Sequence, residues 1–397
     1  MAYVNFKEER HAAKEQLMKR RENNKKLFDE LIQKKELPKC YNPDKEYSYK
    51  EFNEKHFGIG RIQEEEEFQE ISNIDIVCTV FDNCTFGNIK FKDCTFIGCK
   101  FNNCNFESGG VIFQNCSFYK EESEKKPSLN RRDNFSCEFN KCKIYAKFES
   151  CILSYVIFSD TLLHNVFFML SDMTSIIIIN SELNRIRIED CDLSGAKIIN
   201  TYIIDLDFTD KIKTKLDEKT FFDKIQFREK NRAEYEGIYM TYETIADKFK
   251  NNSLNNNFGE YYYLCKVTQR KALNFLPRVY SYIYWASCGY GERPVNAIVF
   301  DLALIVLFAI LFVLIGIKID GRTVSYIYEG INGKNLVDYT IDMKEALTYS
   351  IDLFTGIGGS DGIKPVNFTL TLTNIEKIVG FICMGIGVGT ITRKLVR

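Results

Sequence analysis

The chain has 397 residues, 45% of them hydrophobic and 27% charged, with 53 Lys and Arg against 54 Asp and Glu and a net charge of −1. Its mean hydropathy is −0.22. That much apolar surface excludes a disordered chain, the balanced charge excludes a mainly nucleic-acid-binding role, and six Pro and 23 Gly exclude collagen-like or Pro-rich low complexity.

Residues 1–37 are dense in Lys, Glu and Gln and lack the apolar h-region of a secretory signal, so no export signal is expected. Leu17, Leu27, Leu31 and Ile32 fall at roughly helical spacing among the charges, which predicts a solvated helix or, alternatively, an assembly helix. Residues 38–72 read as a connector that ends in the acidic run 64–67.

Over 73–209 the pattern changes. Phe81, Phe86, Phe91, Phe96, Phe101 and Phe106 recur every five residues, usually with a small residue two positions earlier, as at Cys84, Cys94, Cys99 and Cys104. The rhythm returns at Phe113, Phe118, Phe139 and Ile144, then runs from Phe148 through Leu153, Phe158 and Leu163 to Phe208. A period of five suits neither a helix nor a strand. It suits a solenoid in which each pentad is one side of a coil and turns two of its side chains inward. Residues 119–134 break the rhythm and read as a polar loop.

These pentads resemble the pentapeptide-repeat family, whose members form right-handed, four-sided β-helices. The resemblance implies about six coils here. Nine of the 14 cysteines (Cys84, Cys94, Cys99, Cys104, Cys116, Cys137, Cys142, Cys151 and Cys191) take the small inward slot and form no CxxC pair. Buried free thiols in a reducing compartment are therefore expected, rather than disulfides or a zinc site. Some family members mimic DNA, but 73–209 holds 14 basic and 18 acidic residues, a net of −4 and a weak field for such a mimic.

Past residue 210 the spacing of Ile238, Tyr242, Ile245 and Phe249 is helical. An Asn-rich turn at 251–257 leads to a second helical stretch through Tyr261, Leu264, Thr268 and Ala272, so 210–288 is expected to be a helical coupler. Residues 295–317 are apolar apart from Asp301 and long enough to cross a bilayer. Residues 375–392 form a second such stretch, followed by Arg393, Lys394 and Arg397. The positive-inside rule then places both termini in the cytoplasm of a multi-pass plasma-membrane protein.

Between the spans, 318–352 carries four basic and six acidic residues. A short amphipathic helix from Met343 leads into the loop Thr355-Gly356-Ile357-Gly358-Gly359-Ser360-Asp361-Gly362, so pore helix and loop together cover 343–362. A helix C-terminus aimed at a glycine-rich loop with Thr and Asp suits a re-entrant pore segment. This module, 289–397, resembles the two-span pore-loop channels related to potassium channels, and more narrowly bacterial proteins that fuse pentapeptide repeats to such a pore. The carrying residues are Gly289-Tyr290-Gly291-Glu292-Arg293-Pro294, Tyr349-Ser350, Phe354-Thr355, Lys364-Pro365 and Thr390-Ile391-Thr392-Arg393-Lys394-Leu395. Gly289-Tyr290-Gly291 precedes the first span, so it reads as the bend into the membrane and not as the filter. The filter stretch departs from the family's Thr-Val-Gly-Tyr-Gly-Asp.

The resemblance implies a homotetramer, with K⁺ or Na⁺ carried by Thr355–Asp361 and no other cofactor or metal. Gly380, Gly385, Gly387 and Gly389 then serve an inner-helix hinge or close packing. The expected fold is thus mixed: a β-helix, an α-helical hairpin and a two-helix pore module. The bilayer is an expected partner, an unknown cytosolic regulator of the repeats is a further one, and nucleic acid is not. The three histidines (His11, His56 and His164) pair with no nucleophile, so no enzymatic activity is expected. The alternative to a channel is a non-conducting, membrane-anchored repeat scaffold.

Overall fold

A computed structural model describes residues 4–34, 41–59, 68–107, 110–118, 135–319, 321–327, 336–358, 362–366 and 369–396. The expected loop at 119–134 and the acidic run 64–67 lie outside the described residues. The chain divides into two compact units, Met1–Ala272 and Leu273–Arg397.

The first unit is a β-solenoid built entirely from parallel ladders. In one ladder the strands centred on Phe52, Phe81, Phe101, Phe139, Phe158, Ile178, Ile198 and Phe222 follow one another, which sets about seven turns. A second ladder stacks Phe57, Phe86, Phe106, Ile144, Leu163, Leu183 and Ile203. A third stacks Ile71, Phe91, Phe113, Phe148, Phe168, Ile188 and Phe208. A sparser one runs by bridges from Pro43 and Asp75 through Thr95, Ser117, Ile152, Asp172 and Asp192 to Lys215. Residues 41–59 and 68–72 therefore supply the first turn, in place of the connector expected over 38–72. Phe52 and Phe57 already occupy large inward slots there.

The corner between strands explains the fifth residue of the repeat. Asn83, Asn88, Asp93, Gly98 and Asn103, and later Asp160, Asn165, Asn180, Asp190, Asn200 and Asp205, all hold φ between 48° and 70°. Asn and Asp tolerate this left-handed region because their short polar side chains bond locally, and Gly because it has no Cβ. At Gly98 the absence is used twice, since a Cβ would lie 1.9 Å from the Phe135 ring. Leu170 takes the same conformation (φ 52°) with its side chain 53% exposed, so it bears the strain with little compensating burial. Leu170→Asn is expected to raise the unfolding free energy by about 1 kcal/mol, read as a shift to higher denaturant concentration in an unfolding curve.

Inside the coils, aromatic rings pile face on face. Phe101 and Phe139 are 4.5 Å apart and 4° from parallel, and Phe86 and Phe106 are 4.8 Å apart and 12° from parallel. The small slots make a second column. From Cys84 to Cys151 the thiols in these slots donate to a carbonyl of the preceding coil, as Cys104 does to Phe81 O (3.3 Å) and Cys142 to Phe101 O (3.3 Å). In later coils Thr161, Ser171, Ser181 and Thr201 take over the column. There Ser171 Oγ accepts from Cys151 N and Ser181 Oγ from Thr161 N. Among the described residues every cysteine is a free thiol. Burial pushes the Cys191 thiol up to about 12, which keeps it protonated and unreactive at neutral pH.

Helix α1 (Phe6–Lys34) lies on the outside of this solenoid and is not solvated all round. Ala13 and Leu17 cover Ile157, Ile177, Ile179, Ile199 and Phe221, while Phe28 covers Val77, Cys78, Ile97 and Phe135. Polar residues on the same stripe dock too: Arg20 Nη1 donates to Tyr155 O and Ser175 O (2.9 Å each), and Asn24 Nδ2 donates to Ser136 O (3.3 Å).

Helices α2 (Arg232–Asn251) and α3 (Asn255–Ala272) form the expected hairpin, but as part of the solenoid's own core and not as a separate coupler. Ile238, Tyr242, Ile245, Phe249 and Tyr261 continue the core past Phe222, and a solenoid's last coil needs such a cover. Tyr261 Oη both donates to Phe222 O (2.8 Å) and accepts from Phe222 N (2.9 Å), and Tyr242 Oη accepts from Ile225 N (2.7 Å). Glu234 gathers the entering loop by accepting from the backbone N–H groups of Arg228, Glu229 and Lys230. Burial works to raise the Glu234 pKa, yet these bonds hold it below the usual carboxylate value.

Candidate functional site: the two-span module

The second unit opens with helix α4 (Phe275–Cys288), which ends in three left-handed residues, Gly289, Tyr290 and Gly291 (φ 54°, 59° and 79°). The bend expected from the sequence is thus a sharp turn, locked by the buried Tyr290, whose hydroxyl lies 2.7 Å from Ser281 Oγ. Pro294 then starts helix α5 (Pro294–Ile315), where its fixed φ and missing N–H suit the first helical turn. Helix α7 (Thr369–Val396) is the second long apolar helix. Both α5 and α7 are long and apolar enough to cross a membrane. Glu292, fully buried, pairs with Arg393 (3.1 Å), which brings the start of α5 and the end of α7 to one level.

Helix α5 closes at Gly316, whose φ of 134° stops it. The strands Ile317–Ile319, Arg322–Val324 and Ile363–Pro365 form a small antiparallel sheet. Helix α6 (Leu336–Thr355) begins earlier than the expected Met343. Its added turns are held by Tyr326, whose hydroxyl donates to Asp342 (3.0 Å) and whose ring packs on Tyr339.

Helix α6 is wedged between α5 and α7. Ala346, Tyr349 and Leu353 pack with Phe308, Ala309, Phe312 and Val313. Ser350 joins all three helices, since its hydroxyl bonds both Ile305 O (2.9 Å) and the buried Glu376 carboxylate. Tyr349 Oη lies 3.4 Å from Thr373 Oγ1 one turn away. The contact between these nodes escapes a reading of the sequence, because Ser350 and Glu376 stand far apart in the chain and no spacing links them. The available signals are Ser350, within the Tyr349-Ser350 pair that carries the resemblance, and Glu376, a carboxylate at the start of an apolar stretch.

Of the expected filter residues, Thr355 ends α6 with its hydroxyl on Ile351 O (2.8 Å), Gly356 caps the helix in the left-handed region (φ 68°), and Ile357 is 87% exposed. Gly358 sits against Asp352, where a Cβ would meet that side chain at 2.3 Å. Gly359, Ser360 and Asp361 lie outside the described residues. The glycines of α7 divide. A Cβ at Gly380 would lie 2.4 Å from Phe354 O, so this residue lets the end of α6 touch α7. Gly387 faces Ala297 and Asp301, while a Cβ at Gly385 or Gly389 would point into open space among the described residues. Among the described residues no cluster of His, Cys, Asp or Glu is placed to hold a metal ion.

Residues 81–121 match the family model described as pentapeptide repeats (9 copies). The described residues of that stretch lie within the ladders above, so the solenoid carries pentapeptide repeats. No curated protein matches the chain. Among solved structures it is similar to a trypsin-treated form of QnrB1, described as a plasmid-mediated fluoroquinolone resistance protein. That match has 20% identity over 35% of this chain and 70% of that one, with a TM-score of 0.20. Full-length QnrB1 matches at 16% identity over 43% of this chain and 93% of that one, with a TM-score of 0.15. HetL, a pentapeptide-repeat protein involved in heterocyst differentiation regulation in the cyanobacterium Nostoc, matches at 11% identity over 40% and 88%, with a TM-score of 0.09.

Proposed function

We propose that the protein is a homotetrameric, cation-conducting membrane pore whose pentapeptide-repeat solenoid sets assembly or gating in the cytoplasm. The observation that carries this reading is the wedge of α6 between α5 and α7, ending at Thr355 in a glycine loop. One such loop lines a quarter of a pore, so four copies are required. In this reading the carbonyls and hydroxyls of 355–360 replace water around a monovalent cation, K⁺ or Na⁺, and Asp361 lies at the outer mouth. The basic residues Arg393 and Lys394 keep the end of α7, and with it both termini, on the cytoplasmic side. The solenoid is read as a right-handed coil with four sides, one for each ladder.

The test is a recording from the purified protein in planar bilayers under asymmetric K⁺, Na⁺ and Cl⁻. Cation-selective steps are expected, with a smaller conductance in Asp361→Asn. A reversal potential that follows Cl⁻ sinks the cation reading. Silence from protein shown by flotation to be inserted leaves the second reading, a membrane-anchored scaffold. The filter stretch favours that reading in one respect, because it lacks Gly-Tyr-Gly.

A further inference from the structure

The geometry points to α4 as an interfacial membrane helix that lies among the lipid headgroups beside the first span. The inference rests on the reading that α5 and α7 cross a bilayer. Most of α4 is exposed: Phe275 is 77% exposed, Tyr280 is 74% exposed, and Leu276, Val279, Tyr282, Ile283 and Tyr284 are exposed as well. Only Ser287 and Cys288, at its end, are buried. Water is a poor medium for seven large apolar or aromatic side chains on one helix, and so large an exposed patch calls for an occupant.

Three observations choose lipid as that occupant. First, the helix has 14 residues, about 21 Å at 1.5 Å per residue, too short to cross the roughly 30 Å hydrocarbon core. It is rich in Tyr, with one Trp and one Arg, a composition that matches the aromatic belt at the headgroup level and not the membrane interior. Second, its position follows from the turn that ends it. Tyr290 bonds back to Ser281, Asn296 Nδ2 donates to Trp285 O (3.3 Å), and Glu292 pairs with Arg393 at the end of α7. Helix α4 is therefore held where both spans reach the membrane surface. Third, its exposed side chains continue those of α5, where Val295, Ile298, Val299 and Leu302 are also exposed. The apolar surface is thus continuous from the interface into the span.

Trp285 is the only tryptophan in the chain, so the full-length protein carries its own reporter. The protein is reconstituted in phosphatidylcholine vesicles containing lipids with a quencher near the headgroup or at the chain end, and aqueous iodide serves as the third quencher. The headgroup-level quencher is expected to remove about half of the emission or more, and iodide far less. A second probe, Tyr280→Trp in a Trp285→Phe background, is expected to give the same order from the middle of the helix. Replacing Phe275, Leu276 and Tyr280 together by Ser is expected to raise iodide quenching of Trp285 about two-fold, as the helix lifts from the surface.

Strong iodide quenching without lipid quenching overturns the inference, because α4 then stands in water. A chain-end quencher more effective than the headgroup one overturns it as well, since the helix would lie in the core. Protection from all three quenchers does so too, and assigns the face to a second copy of the chain. Failure of the spans themselves has a separate signature, release of the protein from the vesicles by alkaline carbonate.

Discussion

Phe139→Ala is expected to lower the unfolding free energy of the solenoid unit by about 3–5 kcal/mol. The ring is fully buried and lies in the middle of a face-to-face column, 4.5 Å from Phe101 and 4.9 Å from Phe158. Tilted contacts at 6.0 Å with Phe106 and Phe118 surround it. Removing it deletes apolar transfer energy and opens a void that the coils above and below cannot close, because their backbones are tied by the ladder pairs Glu138 to Lys100 and Glu138 to Ile157. Phe139→Leu retains most of the volume and is expected to cost about half as much or less. Denaturant unfolding of the detergent-solubilised chain reads the total. Hydrogen exchange reads its distribution, and because each coil touches only its neighbours, faster exchange is expected to centre on the coils of Phe101 and Phe158. Uniform acceleration through the unit, or a cost near that of the Leu variant, would count against stacked rings as the main support.

The inward positions of the solenoid were legible because their chemistry repeats at a fixed interval. The corner position was equally open to reading: Asn, Asp or Gly stands immediately before the small slot at 83, 93, 98 and 103, and left-handed backbone favours those types. The first turn is hidden in the sequence because only Phe52 and Phe57 keep the interval there, and the residues up to Ile71 interrupt it. The hairpin's helical spacing was visible, but its destination was not. Nothing in the pattern of Tyr242 and Tyr261 says that their hydroxyls close on the backbone of Phe222 and Ile225.

In the second unit the two long apolar helices stood out by composition, which is a local property. The contacts that join α5, α6 and α7 did not, since Ser350, Ile305 and Glu376 come from three separate segments and carry no spacing rule. Gly380 illustrates the limit. The sequence showed a small residue, and only the fold shows that the carbonyl of Phe354 fills the space a side chain would need.

The docking of α1 was hidden for a related reason: its buried stripe, Ala13, Leu17, Arg20, Asn24 and Phe28, is two-fifths polar and looks like a solvated face. Arg20 is its pivot. The side chain is buried, its Nη1 donates to Tyr155 O and Ser175 O on successive turns of the solenoid, and its guanidinium lies 5.2 Å from the Tyr155 ring centre. Burial brings its pKa down to about 10, so it remains cationic at neutral pH and the bonds are charge-assisted. Both Tyr155 and Ser175 are left-handed corner residues, and both of their carbonyls accept from this one group of α1. Arg20→Ala is expected to cost about 2–4 kcal/mol, because it removes two buried charge-assisted hydrogen bonds together with the packing of the side chain. Arg20→Met keeps the apolar stem and is expected to recover only the packing share, while Arg20→Lys has a point charge in place of the planar fork and should fall between. The distinguishing readout is limited proteolysis, in which α1 is cut faster in the Ala and Met variants while the solenoid stays protected. If Arg20→Met left cleavage and stability at the parent level, the apolar contacts of Leu17 and Phe28 alone would hold the helix, and the two carbonyl bonds would be incidental.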